Sequence, residues 1–252
     1  MLPIGDDNSD RRITPIINYL LVIANIVVFI FLQNMGHNDL FTYGYSTVPA
    51  EILTGHDIVT QSQVVSDPYT GAHMTMPGLQ PSPYPVYLTL LTSMFMHAGI
   101  AHIAGNMLYL WIFGDNLENV MGHGRYLLFY LLCGVLASIS HVAATAVFGQ
   151  NELIPSLGAS GAISGVLGGY VMLFPLRRVR VWFILGFWPV PAFLCLGLWI
   201  AYQVIDGMGA MGGTNVSNVA FAAHIGGFIA GFLLVRLFVH KELLVPKRRN
   251  FI

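Results

Sequence analysis

One stretch of this chain, from residue 157 to residue 174, reads LGASGAISGVLGGYVMLF and contains no charged side chain. A helix needs about 20 mainly apolar residues to cross the hydrocarbon layer of a bilayer, so the stretch predicts a transmembrane helix at 157–175. The whole chain of 252 residues is 55% hydrophobic and 9% charged, whereas soluble domains carry about 25% charged residues. We therefore expect an all-α polytopic membrane protein. Its net charge of −1 indicates no nucleic-acid partner.

Further apolar runs extend this prediction to a bundle of six transmembrane helices. The predicted spans lie near 14–35, 99–117, 125–148, 157–175, 181–204 and 218–239. The first is too long for the core of a signal peptide and is interpreted as a retained signal anchor. No repeat or separate soluble domain is evident, so residues 1–252 are expected to form a single membrane domain.

The basic residues predict how the bundle is oriented. All 11 Lys and Arg side chains fall into four clusters, and six spans would bring these clusters to one side of the membrane. Basic loops face the cytoplasm, so both termini are expected there. The loop at 36–98 contains no basic residue and is predicted to be extracytoplasmic. Its prolines, Pro68, Pro77, Pro81, Pro83 and Pro85, favour an irregular second half.

Polar side chains occur in three alternate spans, where they are energetically costly and indicate function. His102 and Asn106 share one helix face in the second span, and His97 precedes them at its entry. Ser160 opens the fourth span and His224 lies early in the sixth. The topology puts His102, Asn106, Ser160 and His224 about 3–10 Å below the same membrane surface. Taken alone, the segment around Ser160 could serve only helix packing, but the common depth favours one site.

These residue types suit acyl transfer. Serine becomes a nucleophile when a neutral imidazole removes its proton, which assigns Ser160 as nucleophile and His224 as base. His102, Asn106 and the backbone N–H of Ser160 are candidate donors to an oxyanion. No carboxylate lies in the fourth or sixth span, so a Ser–His dyad is expected. Small residues would let these two spans approach closely, among them Gly158, Gly161, Gly227 and Gly231.

Three ordered motifs give the chain a resemblance to the rhomboid family, over roughly residues 85–235. They are His102-xxx-Asn106 with His97 upstream, Gly158-Ala-Ser160-Gly161, and His224-xx-Gly227-xxx-Gly231. The resemblance implies a serine endopeptidase that cleaves transmembrane segments of other proteins inside the bilayer, without metal or cofactor. It implies the same roles for the site residues and a loop at 36–98 that enters the membrane near its end. The fifth span and the segment 206–217 are similar to the family's substrate gate.

This chain departs from the pattern of some rhomboids at the position one helical turn after the nucleophile. Some rhomboids have an aromatic residue one turn after the serine, under the catalytic ring, whereas this chain has Ser164. The way in which the His224 ring is held is therefore left open, as is the oligomeric state.

Three alternatives to proteolysis are an inactive rhomboid-like protein that binds membrane clients, a transporter or channel, and a metal site formed by His97, His102 and His224. A bare six-span core favours a prokaryotic plasma membrane as the location.

Overall fold

The computed structural model describes residues 2–66, 73–148, 152–184, 186–211 and 221–243. The chain is mainly helical, which confirms the helical class predicted from the apolar runs, although the described residues also contain short strands. The α-helices are α1 Ile16–Val27, α2 Asp39–Gly44, α3 Pro49–Thr54, α4 Thr89–Thr92, α5 Ile100–Met121, α6 His123–Phe148, α7 Ser160–Leu173, α8 Ala192–Met211 and α9 Phe221–Phe238. The strands are β1 Leu2–Asp6, β2 Gln63–Ser66, β3 His73–Met76, β4 Arg178–Phe183 and β5 Gly186–Pro191.

Apolar helices occur at each of the six predicted positions. Among the described residues, α6 and α9 are long and apolar enough to cross a membrane by themselves. Residues 86–95 join α5 across an 80° bend to form a third candidate. The apolar parts of the other three, at 16–32, 160–173 and 192–205, are shorter. The order of helices agrees with the prediction, and the number of spans stays a prediction.

The predicted start of the fifth span at residue 181 is wrong. Strands β4 and β5 form an antiparallel hairpin there, and β1 extends it to a sheet in the order β1-β4-β5. Two sequence features explain the difference. Pro189 and Pro191 lack the backbone N–H that a helix requires. Val179 and Val181 are buried while the arginines beside them are exposed, which is the period of a strand. The helix therefore begins only at Ala192.

The loop at 36–98 is also more regular than predicted, since it contains α2, α3 and the antiparallel pair β2–β3. Proline does not prevent this pair because Pro77 comes directly after β3. A bridge between Thr47 and Ser156 ties the loop to the segment that leads into α7. The loop therefore contacts the chain immediately before Ser160.

Two acidic side chains near the C-terminal end of α5 hold the N-terminal segment in place. Glu118 accepts hydrogen bonds from the backbone N–H groups of Ile17, at 3.0 Å, and Asn18, at 2.7 Å. These are two of the first N–H groups of α1, which have no acceptor within the helix. Arg11 pairs with Asp115 on the same face of α5. The N-terminal segment is therefore attached to the end of α5 opposite to His102.

Glycines bring the backbones of α7 and α9 into direct contact. A methyl group at Gly231 would overlap the carbonyl oxygen of Gly165, and one at Gly227 would overlap that of Gly161. Contacts of this closeness are possible only for residues without a side chain. The consequence for the site is that α7 and α9 present their first turns to each other.

Candidate active site

Ser160 is the first residue of α7, directly after a constrained turn. Gly158 in this turn has φ of +122°, a conformation that favours glycine, and its N–H donates to the carbonyl of Ser93 at 2.8 Å. Because Ser160 begins the helix, its own backbone N–H has no acceptor within α7. Ser160 thus presents both its hydroxyl and a backbone N–H that has no acceptor within α7 at the start of this helix.

His224 lies in the first turn of α9, facing this serine. Its Nε2 is 2.8 Å from the Oγ of Ser160, which is hydrogen-bonding distance. The contact spans 64 positions in the sequence and depends on the close approach of α7 and α9. The structure therefore brings together the residues predicted as nucleophile and base.

The other nitrogen of the ring contacts a residue that sequence reasoning missed. His224 Nδ1 is 2.6 Å from Oε1 of Gln203 on α8. An amide oxygen can only accept, so Nδ1 carries the proton and Nε2 is left to accept from the Ser160 hydroxyl. Both nitrogens are engaged, which leaves neither for a metal site shared with His97 and His102. The sequence does contain a signal for Gln203, because its amide side chain stands in a mainly apolar helix, one turn after Trp199.

Trp199 provides the aromatic neighbour that is missing from α7. Its ring centroid lies 5.9 Å from that of His224, at an interplanar angle of 39°. Ser164, at the position where some rhomboids have an aromatic residue, instead donates its hydroxyl to the carbonyl of Ser160 at 2.6 Å. The His224 ring therefore has its aromatic contact and its Nδ1 partner on α8, while α7 contributes the hydroxyl of Ser160.

His102 and Asn106 converge beside the turn that precedes Ser160. A Cβ atom at Gly158 would lie 2.9 Å from His102 Nε2 and 3.6 Å from Asn106 Nδ2. The backbone N–H of Ala98 donates to His102 Nδ1 at 3.4 Å, so a neutral ring carries its proton on Nε2. Asn106 Nδ2 is buried and has no hydrogen-bond partner within the described ranges. Two donors thus point to the space next to Gly158.

His97 lies behind these donors and does not belong to α5, which begins at Ile100. It is fully buried, and its backbone N–H and carbonyl each bond the side chain of Gln33 at 2.9 Å. Its ring meets that of His102 edge to face, with centroids 5.2 Å apart. His97 therefore contacts the site through His102.

The predicted gate is described only in part. Residues 206–211, the first part of the segment 206–217, continue α8 as a helix. Residues 212–217 lie outside the described ranges. The gate as a whole stays a prediction.

Known proteins resemble this chain over the region that contains the site. The family model described as "Rhomboid domain" matches residues 85–241, which is more than half of the chain. The rhomboid protease GluP of Bacillus subtilis is 40% identical over 64% of the chain, and rhomboid protein 1, mitochondrial, of Saccharomyces cerevisiae is 34% identical over 58%. The human presenilin-associated rhomboid-like protein, mitochondrial, is 33% identical over 58%.

The chain spans only 27%, 40% and 36% of the lengths of these three relatives. They include one bacterial protein and two mitochondrial ones, so the comparisons do not support the predicted prokaryotic plasma membrane over a mitochondrial location. A multi-pass integral membrane protein fits the family whose model matches the chain. The family match covers every residue predicted for the site, from His97 to Gly231. The chain therefore belongs to the rhomboid family.

Proposed function

We propose that this chain is an intramembrane serine endopeptidase that cleaves transmembrane segments of membrane proteins by a Ser–His dyad. The observation that carries the proposal is the 2.8 Å contact between Ser160 Oγ and His224 Nε2, with the Nδ1 proton of the same ring bound by Gln203. The name of the Bacillus subtilis relative, a rhomboid protease, adds support.

In the proposed reaction, His224 Nε2 takes the hydroxyl proton as Ser160 Oγ forms a bond to the carbonyl carbon of the scissile peptide. The tetrahedral intermediate collapses as the C–N bond breaks and the imidazolium returns the proton to the leaving amine. A water molecule then attacks the carbonyl carbon of the ester on Ser160 while His224 Nε2 takes its proton. The C–O bond to Ser160 breaks, the imidazolium returns the proton to Ser160 Oγ, and the acid product leaves, so that neither half-reaction requires a metal or cofactor.

The oxyanion of the intermediate needs preorganised donors in a site of low dielectric. His102 Nε2, Asn106 Nδ2 and the Ser160 backbone N–H are the donors that we propose for this role. Their support is the convergence of both side chains beside Gly158 and the unpaired state of Asn106 Nδ2 within the described residues. Gly158, Gly161, Gly227 and Gly231 are proposed to shape the site, and His97 to support His102.

The proposed topology is one membrane domain over residues 1–252, with six spans and both termini in the cytoplasm. The loop at 36–98 would be extracytoplasmic and would enter the membrane near its end. The distribution of Lys and Arg supports this orientation.

Cysteine accessibility checks the topology with a matched pair of serine substitutions. Ser62→Cys and Ser9→Cys both change exposed residues, in a background where Cys133 and Cys195 are replaced by alanine. We expect a membrane-impermeant maleimide to label position 62 in intact cells or organelles of the native orientation, and position 9 only after permeabilisation. Labelling in the reverse order would contradict the topology.

A fluorophosphonate that reacts with activated serines tests the function itself. Purified protein in detergent is expected to be modified stoichiometrically at Ser160, as identified by mass spectrometry of its peptides, and Ser160→Ala is expected to remain unmodified. Absence of labelling in a folded wild-type chain would contradict the proposal and would leave client binding without proteolysis as the better candidate.

A further inference from the structure

Gln203 is a buried amide side chain in a helix that is otherwise mainly apolar. It is 6% exposed and lies on the face of α8 that packs against α9, while its neighbour Ile205 is 70% exposed. A buried polar side chain is stable only where its hydrogen bonds are made. The partner here is the Nδ1 of His224, at 2.6 Å.

We propose that Gln203 is a positioning residue for the reaction, acting through His224; this rests on the proposed function. Its carbonyl oxygen selects the one neutral tautomer of the ring in which Nε2 has a lone pair. In the opposite tautomer Nε2 would carry a proton and could not accept the hydrogen of Ser160. Gln203 therefore occupies the place of a third triad member, with a neutral acceptor in place of a carboxylate.

Local packing on α8 holds this acceptor in place. Trp199, one turn earlier on the same face, lies against the His224 ring. One turn later, a Cβ at Gly207 would be 3.0 Å from Cβ of Phe221, the first residue of α9. The helices therefore touch on both sides of Gln203. Nucleophile, base and acceptor come from α7, α9 and α8 in turn, so the base is oriented only when all three helices are in place.

Two substitutions separate hydrogen bonding from packing. Gln203→Met keeps the length of the side chain and removes the acceptor, while Gln203→Glu keeps an acceptor at the same reach. At pH 8, where an ordinary imidazole is neutral, we expect the rate constant of Ser160 labelling by a fluorophosphonate to fall by about 10- to 100-fold in Gln203→Met. The loss is smaller than the about 10²–10⁴-fold contribution of a general base because His224 remains. Gln203→Glu should restore most of the rate.

Substrate cleavage gives a second measurement. Because Gln203 acts through His224, kcat for a model transmembrane substrate should fall in Gln203→Met while KM stays within about twofold. Leu128→Met places the same new side chain at an exposed position of α6, away from the predicted gate, and should leave both constants unchanged. Thermal melting in detergent reports whether each variant folds. If Gln203→Met does not fold, Gln203→Asn, whose acceptor is one methylene further from the ring, should show the same loss of rate.

The possible results are distinct. Wild-type rates in Gln203→Met or Gln203→Asn, or slow labelling in Gln203→Glu with an unchanged melting temperature, would overturn the role of Gln203 while leaving the Ser–His dyad intact. A folded wild-type chain that does not react at Ser160 would overturn the proposed function and this inference together. Loss in Gln203→Met with recovery in Gln203→Glu would support it.

Discussion

Ser160→Ala and His224→Ala are each expected to reduce cleavage of a model transmembrane substrate to background. The first substitution removes the proposed nucleophile, and the second leaves a hydroxyl that no group deprotonates. General base catalysis alone contributes about 10²–10⁴-fold, and loss of the nucleophile removes the covalent route altogether. Cleavage is measured with purified protein and substrate in proteoliposomes.

The double variant separates a dyad from two independent residues. Groups that act as one unit are strongly non-additive, so Ser160→Ala/His224→Ala should be no slower than either single variant. Ser164→Ala is the matched control, since this hydroxyl is buried one turn further along α7 and bonds a backbone carbonyl. It should retain substantial activity. Cleavage by Ser160→Ala together with an inactive Ser164→Ala would show that the nucleophile is misassigned by one turn.

Asn106→Ala and His102→Ala should each lower kcat by about 10²–10³-fold. One donor to an oxyanion stabilises the transition state by about 2.7–4 kcal/mol where water is excluded. The proposed donors are Asn106 Nδ2, which has no hydrogen-bond partner among the described residues, and the neighbouring His102 Nε2. The nucleophile and base remain in both variants, so Ser160 and His224 should keep their 2.8 Å contact.

A histidine away from the site provides the control for this series. His37→Ala changes an exposed ring before α2 and should leave kcat unchanged. Wild-type turnover in both Asn106→Ala and His102→Ala would mean that these side chains serve packing alone. A rise in KM without a loss in kcat would instead indicate that these side chains bind the substrate equally well in the ground state and the transition state.

The amino-acid sequence by itself determined the class of protein and pointed to the residues that we propose as the dyad. A membrane helix satisfies its backbone within one continuous segment, so each apolar run indicates a helix without knowledge of its neighbours. Ser160 and His224 were recognisable because polar groups inside apolar runs are rare. Gly227 and Gly231 indicated a close helix contact because small residues at this spacing form one face.

The tertiary structure decided what depends on pairs of distant residues. Gln203 is neutral and has no marked spacing from His224, so only the packing of α8 on α9 identifies it as a partner of the ring. Likewise, Glu118 binds the start of α1 across about 100 positions of sequence. The pairing of β1 with β4, which joins the N-terminal segment to the β4–β5 hairpin across more than 170 positions of sequence, is likewise visible only in the folded chain. A periodic pattern reports how one segment meets its surroundings, whereas a hydrogen bond between segments depends on where the folded chain brings two atoms together.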